Sequence, residues 1–382
     1  METNTPIVCF SSNDWNDIPS SKFHIMRYIG QSRTVLFIET IGIRQPRICA
    51  NDAKRAFHKI EKSLQGSRHA EAKIYRWSPL AIPFHKVMVV RHINSLYIAA
   101  MIKRISSTLD IKKPVIWSYL PNAIGIIKRL DFSKLVYHCI DDYGEFTGAP
   151  KRSFEAMERE ILQTADLTVV SSRELLSLKR PHSKNIAYVP HGVDLKGFER
   201  ELKNRVTLPD IDAVKGPTAG FVGRIADWID LELVGRCASE MRHWSFVFVG
   251  PSNVDLSRYR GMGNMIFLGR RDHRLIPHYI KRFDVCLMPF VCNRLVASVN
   301  PLKMYEYLAV GKPVVSVPMP ETAEFAGVVA IAEPRDFSRA IQHVYETDSP
   351  SKQEVRIDSV RGRSWEAVAD TILERLACTP RG

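Results

Sequence analysis

A lysine and a glutamate three residues apart, Lys303 and Glu306, stand in the stretch "VNPLKMYEYLAVGKPVVSVP" from Val299 to Pro318. Residues at i and i+3 share one face of a helix. The amides and dipole of a helix N-terminus favour an anion, and a lysine in the first turn adds a full charge. A carboxylate on the same face accepts hydrogen bonds from a pair of neighbouring hydroxyls. The two together suit a nucleoside diphosphate, with Lys303 on phosphate and Glu306 on ribose. The alternative is an ion pair that only braces an amphipathic helix. The flanking residues predict that helix: Asn300 as its cap, Pro301 in its first turn, an end near Ala309, and Gly311 and Pro313 beyond.

Other residues offer related chemistry. In "FVGRIADWID", Gly223 lets backbone approach a ligand and Arg224 can meet a phosphate through two nitrogens; a turn glycine beside a surface arginine is the alternative. In "YHCIDDYGEF", Asp141 and Asp142 follow an apolar strand. One of two adjacent carboxylates can hold a raised pKa when water is excluded, which suits a general base; capping the next turn is the alternative. Asp14 and Asp17, in the loop after the first strand, are further candidates for the base, and His191 in "PHGVD" reads as a turn residue. Neither GxGxxG nor GxxxxGK[ST] occurs, which sets aside dinucleotide oxidoreductases and P-loop enzymes. The seven scattered cysteines form no C-x-x-C and the histidines no H-E-x-x-H, so buried thiols of a cytosolic protein are expected and a metal site is not.

These loops need elements to hold them. A chain of 382 residues, 45% hydrophobic and 25% charged, fits a soluble protein of two domains. The start of the chain lacks a basic segment followed by a long apolar run, and no stretch of about 18 apolar residues occurs, so neither a signal peptide nor a spanning helix is expected. Apolar runs "PIVCF", "TVLFIE", "PVIWSY", "KLVYHCI" and "DLTVVSS" alternate with helix-length segments. The pattern restarts with "TAGFVG", "SFVFVG", "NMIFLG", "DVCLMPF" and "PVVSVP". Such alternation predicts α/β structure: two Rossmann-like, doubly wound domains facing a cleft, with ligands beyond the carboxyl ends of the strands. The boundaries fall at 1–190 and 191–360, with a helix in 361–382 packing back toward the first domain.

The segments "GFVGR", "PHGVD" and "NPLKMYEYLAVGKPVV", in their order and spacing, resemble the retaining GT-B glycosyltransferases of the large nucleotide-sugar-dependent family four. The likeness covers most of residues 186–320. The "NPLK" variant is also similar to the xanthan-type glucuronosyltransferase and teichuronic-acid glycosyltransferase branches. The resemblance implies a nucleotide-sugar donor, UDP favoured, in the second domain and an acceptor in the first. Glu306 would hold the ribose, Gly223 and Arg224 the pyrophosphate, Gly269 and Arg270 would border the base, and Ser298 to Asn300 would face the donor sugar or phosphate. Two departures stand out. The family's second glutamate, eight positions before Glu306, is here Ser298. Its lysine after Gly-Arg is missing, with Asp227, Trp228 and Asp230 in that region and Lys303 as a candidate replacement. Loss of the first carboxylate opens an inverting route, which needs a base such as Asp141 or Asp142. No metal or other cofactor is expected, since positive groups and helix amides can offset a leaving diphosphate.

Net charge is +13, and residues 1–185 hold 28 Lys and Arg against 17 Asp and Glu. Between Arg44 and Lys134 the count is 18 against 5. Ala53–Leu64 and Phe84–Ser106 mix apolar and basic positions at helical spacing, which suits either core helices or an anionic membrane surface. The expectation is a hexosyl- or glucuronosyl-transferase acting on a lipid-linked or polysaccharide acceptor, peripherally attached to the cytoplasmic face of the cell membrane. A nucleic-acid-binding protein is the competing reading of the charge, though no helix-turn-helix, zinc-finger or RNP-type pattern supports it. A sugar-nucleotide epimerase on the same fold is the other.

Overall fold

Strand β1 (Ile7–Phe10) has every side chain buried, as do β2 (Val35–Ile38), β5 (Val115–Ser118), β6 (Lys134–Cys139) and β7 (Leu167–Val170). Unbroken apolar runs are what parallel strands covered on both faces require. With β3 (Arg68–Glu71), β4 (Ile74–Trp77) and β8 (Ile186–Tyr188) they form one sheet in the order β3-β4-β2-β1-β5-β6-β7-β8. All its pairs are parallel except β3 with β4. The computed structural model describes residues 4–17, 19–41, 66–81, 88–145 and 151–380.

The second sheet contains β9 (Thr218–Val222), β10 (Ser245–Val249), β11 (Met265–Gly269), β12 (Val285–Met288), β13 (Val314–Ser316) and β14 (Val329–Ile331). Its order is β11-β10-β9-β12-β13-β14, and every pair is parallel. The chain runs outward from β9 to β11, then returns to the other side of β9 as β12. That reversal leaves a crevice beyond the carboxyl ends of β9 and β12, where open parallel sheets take ligands. In the first sheet the same reversal lies between β1 and β5.

The chain divides into two compact units, Met1–Pro190 with Val368–Gly382, and His191–Ala367. The second unit thus extends seven residues beyond position 360. The helix Trp365–Cys378 crosses from one unit to the other, and its later part is tied into the first. Buried Lys134 donates to the carbonyls of Leu376 and Thr379, both at 2.7 Å, which satisfies groups a helix end leaves open. Asn185 donates to the Thr379 hydroxyl at 3.1 Å, and the Tyr28 hydroxyl to the Asp370 carboxylate at 2.9 Å.

Strands β3, β4 and β14 lie outside the apolar runs picked out in the sequence. β3 is polar, with Arg68, His69 and Glu71, and sits at a sheet edge, where polar residues discourage pairing with other chains. β14 is a three-residue edge strand. The expected Phe84–Ser106 helix is Met88–Thr108, with 82–87 outside the described residues, as is all of Ala53–Leu64. No described helix is long and apolar enough to cross a membrane.

Candidate functional site

The helix Leu302–Ala309 is fastened to the end of β9 by a buried tyrosine: the Val222 amide donates to the Tyr307 hydroxyl at 2.8 Å. The helix therefore begins beside the crevice of the second sheet. Its N-cap is Pro301, with no side-chain capping bond. Asn300, the expected cap, is buried and used elsewhere. Its oxygen accepts from the His191 amide at 3.4 Å, and its nitrogen donates to Glu321 at 2.8 Å. Ser298 is fully buried, and its hydroxyl donates back to the carbonyls of Arg294 and Leu295, 3.0 Å from each. These two residues brace the turn that launches the helix. His191 completes the brace, with its ring 5.9 Å from that of Trp365.

Lys303 and Glu306 lie together as the spacing required, Nζ to Oε2 at 2.9 Å. Both are partly exposed, at 23% and 15%, so the pair can still be reached. Lys303 also lies along Gly223, where an added Cβ would stand 3.5 Å from its Cε.

Three adjacent strands end in glycine at this crevice. Gly223 follows β9 at φ +153°, Gly250 follows β10 at +149°, and Gly269 closes β11 at +73°. These backbone states favour glycine. A Cβ on Gly250 would fall 1.9 Å from the Gly223 carbonyl oxygen, whereas one on Gly269 would meet nothing within 4 Å. The strand ends are laced by Gly223 N–H to Val249 O and Gly250 N–H to Gly269 O, each at 2.9 Å. Arg224 and Arg270 are exposed, and Arg224 donates to Asn253 at 3.4 Å. Arg271, next along, is held by Asp210 and Tyr279. Asp230 caps the helix Leu231–Glu240 through the Leu233 amide at 2.8 Å.

His273, in the loop after β11, was not a candidate in the sequence, because it matches no histidine motif. Burial lowers its pKa, the Lys303 charge acts in the same direction, and Glu306, Asp194 and Asp272 oppose. Burial thus favours its neutral imidazole, which can donate or accept a hydrogen bond.

The first unit has a different cluster. Asp142 lies 3.3 Å from Lys179, which also pairs with Glu158 at 2.7 Å, and Glu158 accepts from the Tyr137 hydroxyl at 2.8 Å. Asp142 is thus tied into a buried charge network. Asp141 is half-buried, and its pKa is pushed up to about 6, first by burial, with Lys22 drawing it down and Asp142 adding to the rise. Lys22 is only 4% exposed, and burial lowers its own pKa. Its Nζ donates to Asn13 at 2.9 Å and stands 5.7 Å from the centroid of the Tyr119 ring. Of the two aspartates, Asp141 has the properties of a base. Asp14 and Asp17 close a turn on each other: Asp14 N–H donates to the Asp17 carboxylate at 3.1 Å, and Asp17 N–H to Asp14 O at 3.2 Å. Among the described residues no group of three or more His, Cys, Asp or Glu is placed to hold a metal.

Two parallel α/β units of this kind are the fold of the GT-B glycosyltransferases. The chain superposes on sucrose-phosphate synthase from Thermosynechococcus elongatus with a TM-score of 0.67 at 17% identity, covering 98% of each chain. Against Anabaena Alr3699/HepE in complex with UDP and glucose the TM-score is 0.64 at 12% identity, over 98% of this chain and 100% of that one. Residues 216–347, within the second unit, match the family model described as Glycosyl transferases group 1. The chain is also 22% identical over 281 residues to TuaH of Bacillus subtilis (strain 168), a glycosyltransferase assigned by name to teichuronic acid biosynthesis, covering 68% of this chain and 70% of TuaH.

Proposed function

We propose that the chain transfers a hexosyl or glucuronosyl group from a UDP-sugar to a lipid-linked or polysaccharide acceptor in cell-surface polysaccharide synthesis. The observation that carries this reading is the Lys303–Glu306 pair at a helix start beside Gly223, at the crevice of the second sheet. Lys303 and the helix amides meet the diphosphate, Glu306 accepts from the ribose hydroxyls, and the glycine strand ends give the phosphates access to backbone. Arg224 supplies a second cation near the pyrophosphate, while Gly269 and Arg270 border the base. The acceptor hydroxyl attacks the anomeric carbon, UDP departs, and Asp141 takes the acceptor's proton, so the product is inverted. No metal is required. TuaH supports the polysaccharide setting, and HepE, in complex with UDP and glucose, supports the donor. The enzyme works in the cytoplasm, attached peripherally to the inner face of the cell membrane.

Calorimetric titration with UDP, GDP and ADP, followed by sugar conjugates of the one that binds, tests the donor. UDP is expected to bind without added metal. Binding of none of the three overturns the reading, and a retained anomer in the product, read by NMR, removes Asp141 from its role.

A further inference from the structure

Asp142, next to Asp141 in the chain, enters a buried cluster of charge that the proposed reaction does not use. Lys179 ends the helix Arg173–Lys179, Glu158 stands in the middle of the helix Lys151–Thr164, and each is 7% exposed. Both oxygens of Glu158 are engaged: Oε2 accepts from Lys179 at 2.7 Å, and Oε1 from the buried Tyr137 hydroxyl at 2.8 Å. Lys179 reaches on to Asp142 at 3.3 Å. Burial works against its ammonium, but Cys139, Glu158 and Asp142 outweigh it and hold the pKa above the ordinary lysine value. One ammonium thus serves two carboxylates and lies closer to Glu158, so Asp142 keeps part of its negative charge unbalanced.

The backbone around Asp141 is gripped at the same place. The Ser171 hydroxyl donates to the Ile140 carbonyl at 3.3 Å, the Cys139 thiol to the Asp141 carbonyl at 3.4 Å, and the Glu145 amide to the Asp142 carbonyl at 3.0 Å. Burial keeps the Cys139 thiol protonated and able to donate, and its sulfur also lies 3.7 Å from Glu158. Three successive carbonyls are held, and the contact with Lys179 holds the Asp142 side chain beside them. Stability alone gives little reason for such a cluster, since exchanging a buried ion pair for apolar residues of similar volume is often neutral. What the cluster secures is the course of the chain through residues 140–142.

We propose that Lys179 and Glu158 are positioning residues for the base: acting through Asp142, they fix the turn that carries Asp141 and the negative charge beside its carboxyl. The proposal rests on the reading of Asp141 as the general base and names the residues that prepare it. The charges that act on Asp141 are Lys22, from the helix Ser21–Ile29, and Asp142, with opposite effects. Tyr143 is coupled to Asp141 as well, while Cys9 and Asp17 act on Lys22. Removing the charge at position 142 should therefore make Asp141 the stronger acid. Removing the charge of Glu158 leaves Lys179 to Asp142 alone, which works in the same direction and more weakly.

The test reads Asp141 itself. The full chain, isotope-labelled at its aspartate carboxyls, is titrated by NMR, with the Asp141 signal assigned by its loss in Asp141→Asn. A wild-type midpoint at about 6 is expected. Asp142→Asn should lower it by about half a unit or more, Glu158→Gln by less, and Lys179→Arg, which keeps the charge, hardly at all. Release of UDP from the UDP-sugar that binds is the second readout. Its kcat should fall about tenfold or more in Lys179→Met, as the carboxyl loses its place, and Lys179→Arg should recover most of it. UDP affinity should stay constant in all four. The two amide variants are nearly isosteric, so the titration decides even where Lys179→Met fails to fold. Variants that unfold more easily yet keep the wild-type midpoint and kcat overturn the proposal and leave the cluster a packing device. Full turnover in Asp141→Asn sinks the base assignment itself, and the proposal falls with it.

Discussion

Where β9, β10 and β11 run out, the second unit presents Gly223, Gly250 and Gly269, backbone stripped of side chains. The segments that follow β1, β5 and β6 in the first unit bring in Lys22, Tyr119, Asp141 and Asp142, side chains whose charge is shaped by burial and by one another. Both sheets are parallel where these loops leave them and both reverse their strand order, so the architecture does not make the difference. Bare backbone admits a bulky polyanion and offers it amides, while a half-buried carboxylate beside a lysine is suited to moving a proton. Under the proposed function, one fold would then serve donor binding at one set of strand ends and proton transfer at the other.

The sharpest way to break the contrast is to put a side chain where the second unit has none. Gly250→Ala places a Cβ 1.9 Å from the Gly223 carbonyl, in a backbone state that disfavours it. A stability loss of roughly 2 to 4 kcal/mol is expected, with UDP affinity falling about a hundredfold or more, equivalent to roughly 2.7 kcal/mol. Thermal unfolding and calorimetry read the two. Gly269→Asn is the control, since its site is open and asparagine tolerates a positive φ, and it should change stability little.

Next is Asp141→Asn. Turnover should fall at least about a hundredfold, the low end for loss of a general base, with UDP affinity unchanged. In the wild type a base must be ionised, so turnover should fall as pH drops through about 6. The same shift bears on stability. A carboxyl pKa raised by folding means ionisation is penalised in the native state, a penalty absent below the ordinary carboxylate range and complete above pH about 6. The asparagine variant should therefore be more stable at neutral pH, by about 1 to 3 kcal/mol. A variant that is slower and also less stable would count against the assignment.

Lys303→Ala should weaken UDP binding by about 1.5 to 3 kcal/mol, the range for a hydrogen bond to a charged group. Glu306→Gln, which keeps an accepting oxygen, should lose less than Glu306→Ala. If all three variants keep wild-type affinity, the pair only braces its helix. The smallest expected effect is Lys22→Met, which removes the cation that draws down the Asp141 pKa. The acid limb of the pH–rate profile should move upward by about half a unit or more, with UDP affinity constant. An unmoved limb would separate Lys22 from the base.

The legible parts of the sequence were the local ones. Apolar runs such as "KLVYHCI" and "SFVFVG" carry the buried strands on their face, because a strand covered on both sides has no room for polar alternation. Lys303 and Glu306 were equally readable, since helical spacing sets their meeting. Strand β3 hid because its residues are polar and it is held by its neighbour β4 in the sheet. The rest depends on distance along the chain. Asn300 finds Glu321 and His191, 21 and 109 residues away, and so becomes a brace where its type alone suggested a cap. The charge coupling of Lys22 to Asp141, and that of His273 to Lys303, arises only in the folded chain, and neither pair stands in a motif.

The last turns of the helix Trp365–Cys378 give the first unit a seam in time. Buried Lys134 takes its acceptors from Leu376 and Thr379, more than 240 positions later in the chain. On a ribosome the first unit emerges before the second, yet it lacks this closing segment until the second has been made. The second unit is continuous in sequence and can fold as it appears. The first must wait, with the Lys134 ammonium group still open, until residues 368–380 have been made.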